Sequence, residues 1–179
     1  ISKYDVKKDF FVNYYSGDGL QGNEFTHGAY YKDEDGKIYF GGINGITSFS
    51  PRKINTDAKE LKVYITDFYV YSDPVHKNTL SDGTPIIFSS VQDANIFQLS
   101  YRDNTFSIAF STLQYNNPEQ IAYQYKIDEL SNQWAVTEPG VNRVTYNNLF
   151  PGKYTFRVRA LNHGNYSEVR TIKILIASP

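Results

Sequence analysis

The 179-residue sequence contains no Cys and no Met. These absences exclude disulfide frameworks, thiol chemistry and cysteine-based zinc sites. The formal net charge is −1, and no basic run occurs. Nucleic acid is therefore not an expected partner, because proteins that bind it carry a basic footprint. No apolar stretch approaches the roughly 20 residues that a membrane helix requires.

Motifs for catalysis and for metal binding are also missing. The sequence has no HExxH, no G-x-S-x-G and no glycine-rich phosphate loop. The acidic stretch 33–36 fails as a calcium loop, because Tyr31 and Gly42 stand where that motif needs acids. The three histidines lie in separate segments, at His27, His76 and His163. We therefore expect no catalytic residue, no metal and no cofactor, and we predict that this chain is not an enzyme.

Aromatic residues are abundant, with 16 Tyr and 12 Phe. Such residues favour the pleated, half-buried surfaces of strands. Apolar residues alternate with period two between Gly, Asn, Asp and Pro, whereas amphipathic helical periodicity is nearly absent. The pattern predicts an all-β protein.

A charged stretch with one Pro, at 51–60, interrupts this pattern and divides the chain. Before it, three short strands are predicted at 26–32, 37–42 and 45–49, separated by the turn dipeptides Asp35-Gly36 and Asn44-Gly45. They form a small antiparallel sheet of the size of one β-propeller blade. One blade cannot bury both of its faces, so we expect further blades beside it. The predicted domains are a partial blade at 1–55, a linker at 56–60 and a second domain at 61–179.

The second region is predicted to be an immunoglobulin/fibronectin III-like β-sandwich. In 153–161, apolar side chains alternate with polar ones, as in a strand with one buried face. Strands at this spacing, separated by turn residues, are typical of such a sandwich. The predicted strands are 62–71, 85–89, 95–99, 105–112, 121–128, 143–147, 153–161 and 168–176.

Five residues of this region are predicted to have structural roles. Pro151 and Tyr154 lie in a turn that delivers a Tyr to the start of a strand, which matches a tyrosine corner. Trp134, the single Trp, and the pair Tyr123 and Tyr125 are expected to pack against the core. For these residues we expect a structural role and not a binding role.

The order of several motifs resembles a known family. Asp18-Gly19-Leu20, Asn23-Glu24-Phe25, 35–42, Asn44-Gly45-Ile46 and Phe49-Ser50-Pro51 resemble the last propeller blade in the periplasmic sensor region of hybrid two-component system histidine kinases. The following motifs resemble the Y_Y_Y domain that comes after that blade: 106–110, Tyr115, Pro118-Glu119, 123–126, Trp134, 146–149 and 151–154. The resemblance covers about 14–176.

This resemblance implies a place in a larger receptor. In that family two seven-bladed propellers precede the sandwich in the periplasm, and a transmembrane helix and a histidine kinase follow it. The propellers typically sense oligosaccharides, while the sandwich connects them to the membrane helix and takes part in homodimer contacts. The resemblance thus implies a non-catalytic relay module in the periplasmic part of an inner-membrane protein. Its partners are then the rest of the same polypeptide and a second copy of the receptor.

The same fold and aromatic content also suit other functions. One is a carbohydrate-binding β-sandwich module of a secreted glycan-degrading protein, and another is an extracellular adhesion domain. Adjacent pairs such as Tyr14/Tyr15 and Tyr30/Tyr31 contain rings that cannot all point inward. Exposed aromatic rings of this kind are typical of interfaces or ligand surfaces.

Overall fold

The computed structural model describes residues 1–7, 9–54, 61–113 and 118–179, so the predicted linker at 56–60 lies outside the described residues. The chain divides into two compact units. The first comprises Ile1–Lys59 with His163–Asn165, and the second comprises Glu60–Asn162 with Tyr166–Pro179.

The first unit contains a hairpin and a small sheet. Strands β1 and β2 pair antiparallel, and β3, β4 and β5 form a three-stranded antiparallel sheet in that order. The 3₁₀ turns Ser16–Asp18 and Pro51–Lys53 also lie in this unit. The strands are β1 Ser2–Asp5, β2 Phe10–Asn13, β3 Tyr30–Lys32, β4 Ile38–Gly42 and β5 Gly45–Phe49.

The sheet differs from the prediction mainly at its first strand. The strand predicted over 26–32 begins only at Tyr30, because Gly28 has φ of +77°, which lies outside the extended region. At the β4–β5 turn, Gly45 has φ of +125° and pairs with Gly42, as the Asn-Gly dipeptide predicts. The result is the predicted sheet resembling one propeller blade, with shorter strands.

Twelve further strands lie among the described residues; eleven are in the second unit, and β16 joins Asn165 of the first unit to Tyr166 of the second. Several are pairs of residues only, too short to show a period in the sequence. The remaining helical turn is the 3₁₀ turn Pro118–Gln120. The strands are β6 Tyr64–Val70, β7 Asp73–Pro74, β8 Leu80–Ser81, β9 Thr84–Pro85, β10 Ile96–Leu99, β11 Phe106–Ser111, β12 Ala122–Ile127, β13 Ala135–Val136, β14 Arg143–Tyr146, β15 Gly152–Asn162, β16 Asn165–Tyr166 and β17 Arg170–Ile176.

Two sheets make up the sandwich. The larger has the order β10-β17-β15-β12-β13, with β16 also paired to β15. The smaller has the order β14-β11-β6-β7, and β8 and β9 form a separate hairpin. The pairing of β10 with β17 is parallel, whereas the pairings β6–β7, β6–β11, β8–β9, β11–β14, β12–β13, β12–β15 and β15–β17 are antiparallel. These two sheets enclose one core and confirm the predicted all-β, immunoglobulin-like sandwich.

The core is built from the inward positions of alternating strands. On β15 the inward residues Phe156, Val158 and Ala160 are fully buried, and on β17 Ile174 is as well. At the centre Phe68 stacks on Phe97 with ring centroids 4.3 Å apart, and on Phe106 at 5.4 Å. Full burial of one such side chain stabilises a fold by about 1.5–3 kcal/mol, so the core strongly favours this register.

The strand predicted over 85–89 is largely absent. Of this range only Pro85 belongs to a strand, the two-residue β9 (Thr84–Pro85). Ile86 and Ile87 are buried but belong to no strand. The strand prediction is therefore wrong beyond Pro85. None of the helical turns in the described residues has the length and apolarity that a membrane span requires.

Candidate functional site

The turn before β15 holds Tyr154 in a fixed position. The Tyr154 hydroxyl donates a hydrogen bond to the backbone carbonyl of Phe150 over 2.8 Å. The Tyr154 ring is buried, whereas the Phe150 side chain is 82% exposed and the neighbouring Pro151 is also exposed. This geometry is that of a tyrosine corner, in which the hydroxyl donates a hydrogen bond to a backbone carbonyl at the edge of the sandwich.

Tyr123 and Tyr125 lie on β12 and point toward the core. Tyr123 is buried, with its ring edge-on to Phe110 at 4.9 Å between centroids. The backbone N–H of Tyr123 donates to the Thr137 hydroxyl over 2.9 Å. Tyr125 is partly buried against the same core. Nearby, burial and then the interaction with Tyr125 raise the pKa of the Tyr146 phenol above its usual value.

Trp134 lies on the outer face of the larger sheet, and the core interpretation of this residue needs correction. Its ring has the Arg159 guanidinium 4.5 Å from its centroid and the Lys126 ammonium at 5.5 Å. Arg159 also lies over the ring of Tyr166 at 4.0 Å. Gln124, Lys126 and Arg159 occupy outward positions of β12 and β15, so the indole meets cations there instead of core side chains.

Hydrogen bonds fix the orientation of this arrangement, here called the cation–aromatic ladder (Trp134, Arg159, Tyr166). Arg159 is directly opposite Gln124, whose side-chain oxygen accepts hydrogen bonds from Nε at 2.9 Å and from Nη2 at 2.7 Å. Gln124 thereby fixes the orientation of a guanidinium that lies 4.5 Å from the ring centroid of Trp134 and 4.0 Å from that of Tyr166. A rigid planar cation loses little further freedom when it binds a partner.

A carboxylate lies between two cations beside the ladder. Asp128 approaches Lys126 Nζ at 2.9 Å and Arg157 Nε at 2.6 Å. Hydrogen bonds from Lys126 and then from Arg157 hold the pKa of the Asp128 carboxyl below its usual value. Lys126, Arg157 and Arg159 were not among the site residues predicted from the sequence. The alternation of charged residues at the outward positions of 153–161 was the available signal for the two arginines.

In the first unit, His163 stacks on Tyr14 with ring centroids 5.0 Å apart. The His163 Nε2 atom lies 3.6 Å from a carboxylate oxygen of Asp18. Burial and then the Asp18 charge raise the pKa of the Tyr14 phenol. His163 is half-buried, whereas His27 and His76 are exposed, as expected of loop residues. Among the described residues no cluster of three or more His, Asp or Glu is placed to hold a metal ion.

The fold and these contacts define a class of protein: an immunoglobulin-like module with a tyrosine corner, preceded in the chain by a sheet resembling a propeller blade. Residues 114–177 match the family profile of the Y_Y_Y domain. The match lies within 61–179, the region for which the motifs predicted a Y_Y_Y domain.

Two solved structures are similar to nearly the whole chain. It is similar over 99% of its length to the extracellular domain of the hybrid two-component system BT3049 from B. thetaiotaomicron, with 27% identity and a TM-score of 0.72. The extracellular domain of the hybrid two-component system BT4673 from the same organism shares the fold, with 22% identity over 99% of this chain and a TM-score of 0.61.

A curated relative agrees with the structures. Histidine kinase P4 of Formosa agariphila is 26% identical over the full length of this chain. The chain spans 13% of that relative and 23% of each structural neighbour named above. The predicted resemblance to the extracellular region of hybrid two-component sensors is therefore confirmed.

Proposed function

We propose that this chain is a relay module of a transmembrane hybrid two-component sensor with histidine kinase activity. In this proposal propellers of the same polypeptide bind an oligosaccharide in the periplasm, and the sandwich passes the resulting movement to a membrane helix and the kinase. The module itself does no chemistry, and the receptor is a homodimer. The partial blade at 1–55 and the sandwich at 61–179 are the two proposed domains.

The observation that carries this proposal is the match along the whole chain to the extracellular domain of a hybrid two-component system. The packing of the second unit supports it physically. Its core contains fully buried residues from both sheets, such as Phe68, Phe106 and Ile174. A closely packed core moves as a body instead of deforming continuously, which is what a relay requires.

A pair of variants in the parent receptor tests the relay. Ile174→Ala removes a fully buried side chain from β17 and loosens the packing of the core. It should lower the free energy of unfolding by about 2–5 kcal/mol. Ile96→Ala, on the neighbouring strand β10, removes an Ile that is 46% exposed and serves as the matched control. We expect ligand-stimulated autophosphorylation to fall in the Ile174 variant and to persist in the control. The assay temperature must keep the purified Ile174→Ala chain folded.

Unchanged stimulation in the Ile174 variant, despite a measured loss of stability, would contradict the relay. Direct binding of oligosaccharides to this chain, detected by titration calorimetry at millimolar affinity or better, would favour the other candidate. That candidate is a carbohydrate-binding module of a secreted glycan-degrading protein, and the exposed ring of Tyr166 is the feature that suits it. Sedimentation of the whole receptor tests the dimer.

A further inference from the structure

The outer face of the larger sheet carries a row of basic residues. On β15 the outward positions include Lys153, Arg157 and Arg159, at intervals of two or four residues. Because a strand rises about 3.3 Å per residue, the row extends about 20 Å from Lys153 to Arg159. Lys126 on β12 lies opposite Arg157, and Lys173 on β17 lies opposite Thr155. These five residues are here called the basic stripe.

The basic stripe is only partly neutralised. On strands β12, β15 and β17 and in the turn at 128–130, the carboxylates are Asp128 and Glu129. Asp128 pairs with Lys126 and Arg157, whereas Glu129 accepts hydrogen bonds from the backbone N–H and hydroxyl of Thr155. The face therefore has an excess of positive charge, although the whole chain has a formal net charge of −1.

The residue types around the stripe are those that contribute most to protein–protein binding. Arg, Trp and Tyr are enriched among residues whose truncation weakens interfaces most. Here the cation–aromatic ladder presents one Trp, one Arg and one Tyr, with the Arg already oriented by Gln124. The Tyr166 side chain is 49% exposed and the Arg157 side chain 39%, so both remain open to a partner.

We propose that the basic stripe and the cation–aromatic ladder form a docking surface for an acidic protein. Charge complementarity selects the partner, since a negative surface is attracted to this face and steered toward it. A second copy of the chain does not fit through the same face. A two-fold symmetric contact would place one basic stripe against another, and like charges facing each other are repulsive.

The test uses the 179-residue chain and a poly-L-glutamate peptide of about ten residues, which when extended spans the stripe. Binding is followed by chemical-shift changes of backbone amides at 0.01 M salt, where the Debye length is about 30 Å, and at 0.15 M salt, where it is about 8 Å. We expect the shifts to cluster on β12, β15 and β17 and the affinity to fall with salt.

Two double variants locate the site. Lys153→Glu/Lys173→Glu reverses two exposed charges of the stripe and should weaken binding about tenfold. Lys62→Glu/Lys77→Glu makes the same change of charge at exposed lysines elsewhere in the second unit. This control variant should retain most of its affinity for the peptide. No binding, or equal loss in both variants, would overturn the docking surface.

A galacturonate oligosaccharide of the same charge distinguishes the kind of partner. Weaker binding of this sugar than of the peptide supports a protein partner. Tighter binding of the sugar, with shifts at Tyr166 and Arg157, would overturn the choice of a protein and assign the face to acidic carbohydrate.

Discussion

Lys126 and Arg157 lie directly opposite each other on adjacent strands of the larger sheet. Like charges at such positions destabilise a sheet, because their Cβ atoms are only about 5 Å apart. The Asp128 carboxylate contacts both cations, at 2.9 Å and 2.6 Å, and offsets their repulsion. The outward face of β12 and β15 therefore depends on a carboxylate in the turn that follows β12.

Asp128→Asn should lower the melting temperature at pH 7, because the two cations would then face each other without an anion. The pKa of Asp128 is depressed in the folded state, so its stabilisation is present above the ordinary pKa of 3.8 and is lost as the pH falls through the lower folded value. The melting temperatures of variant and parent should therefore converge below pH 3.8. Asp67→Asn, an exposed position on β6, is the control. The same pH dependence in both variants would contradict the role of Asp128.

Tyr154→Phe should destabilise the chain by about 1 kcal/mol, because the Phe150 carbonyl loses its donor while the ring stays in place. The loss stays small since the carbonyl belongs to an exposed turn that water can reach. Urea denaturation measures it. Tyr166→Phe removes a hydroxyl from a half-exposed ring and should change stability by less than about 0.5 kcal/mol. Equal effects of the two changes would argue against the tyrosine corner.

Phe97→Ala should lower the free energy of unfolding by about 3–5 kcal/mol, because it removes a fully buried ring that stacks on Phe68. Phe88→Ala provides the comparison, since its side chain is 64% exposed and should lose little on truncation. Denaturant midpoints of both variants are the measurement. If the two midpoints agree, the stacked rings are not the centre of the core.

Arg159→Lys should shift the fluorescence emission of Trp134 to longer wavelength. Lysine lacks the planar guanidinium that covers the indole and holds Gln124, so the ring becomes more hydrated. Because Trp134 is the single Trp, the spectrum reports this site alone. Arg143→Lys, which removes a guanidinium from the ring of Tyr69, should leave the spectrum unchanged. An unaltered spectrum in the Arg159 variant would contradict the ladder.

Much of the fold follows from period-two alternation. The strand predicted over 153–161 is observed as Gly152–Asn162, with the predicted residues facing the core. The hairpin of Ser2–Asp5 and Phe10–Asn13 was not predicted, because its strands are short and mostly solvent-exposed. Strands of two residues, such as Ala135–Val136, carry no period that a sequence pattern can reveal.

The surface of the sandwich was less predictable than its core. Arg159 reaches both Trp134 and Tyr166 only because β15 is adjacent to β12 and to β16 in the folded sheet. No local pattern encodes a contact between residues so far apart in the chain. A Trp side chain suggested burial in the core. The indole of Trp134 instead contacts the cations Arg159 and Lys126 on the outer face of the sheet.

Strand β17 is bound on both sides, by the parallel strand β10 and the antiparallel strand β15. Ile174 is in register with Phe97 on one side and with Tyr154 on the other. Tension applied along the axis of this strand would load both rows of hydrogen bonds in shear, so that many must break together. A single pair of strands pulled apart from one end would instead break one hydrogen bond at a time. Strand β17 is therefore placed to transmit a pulling force along its axis without separating from its neighbours.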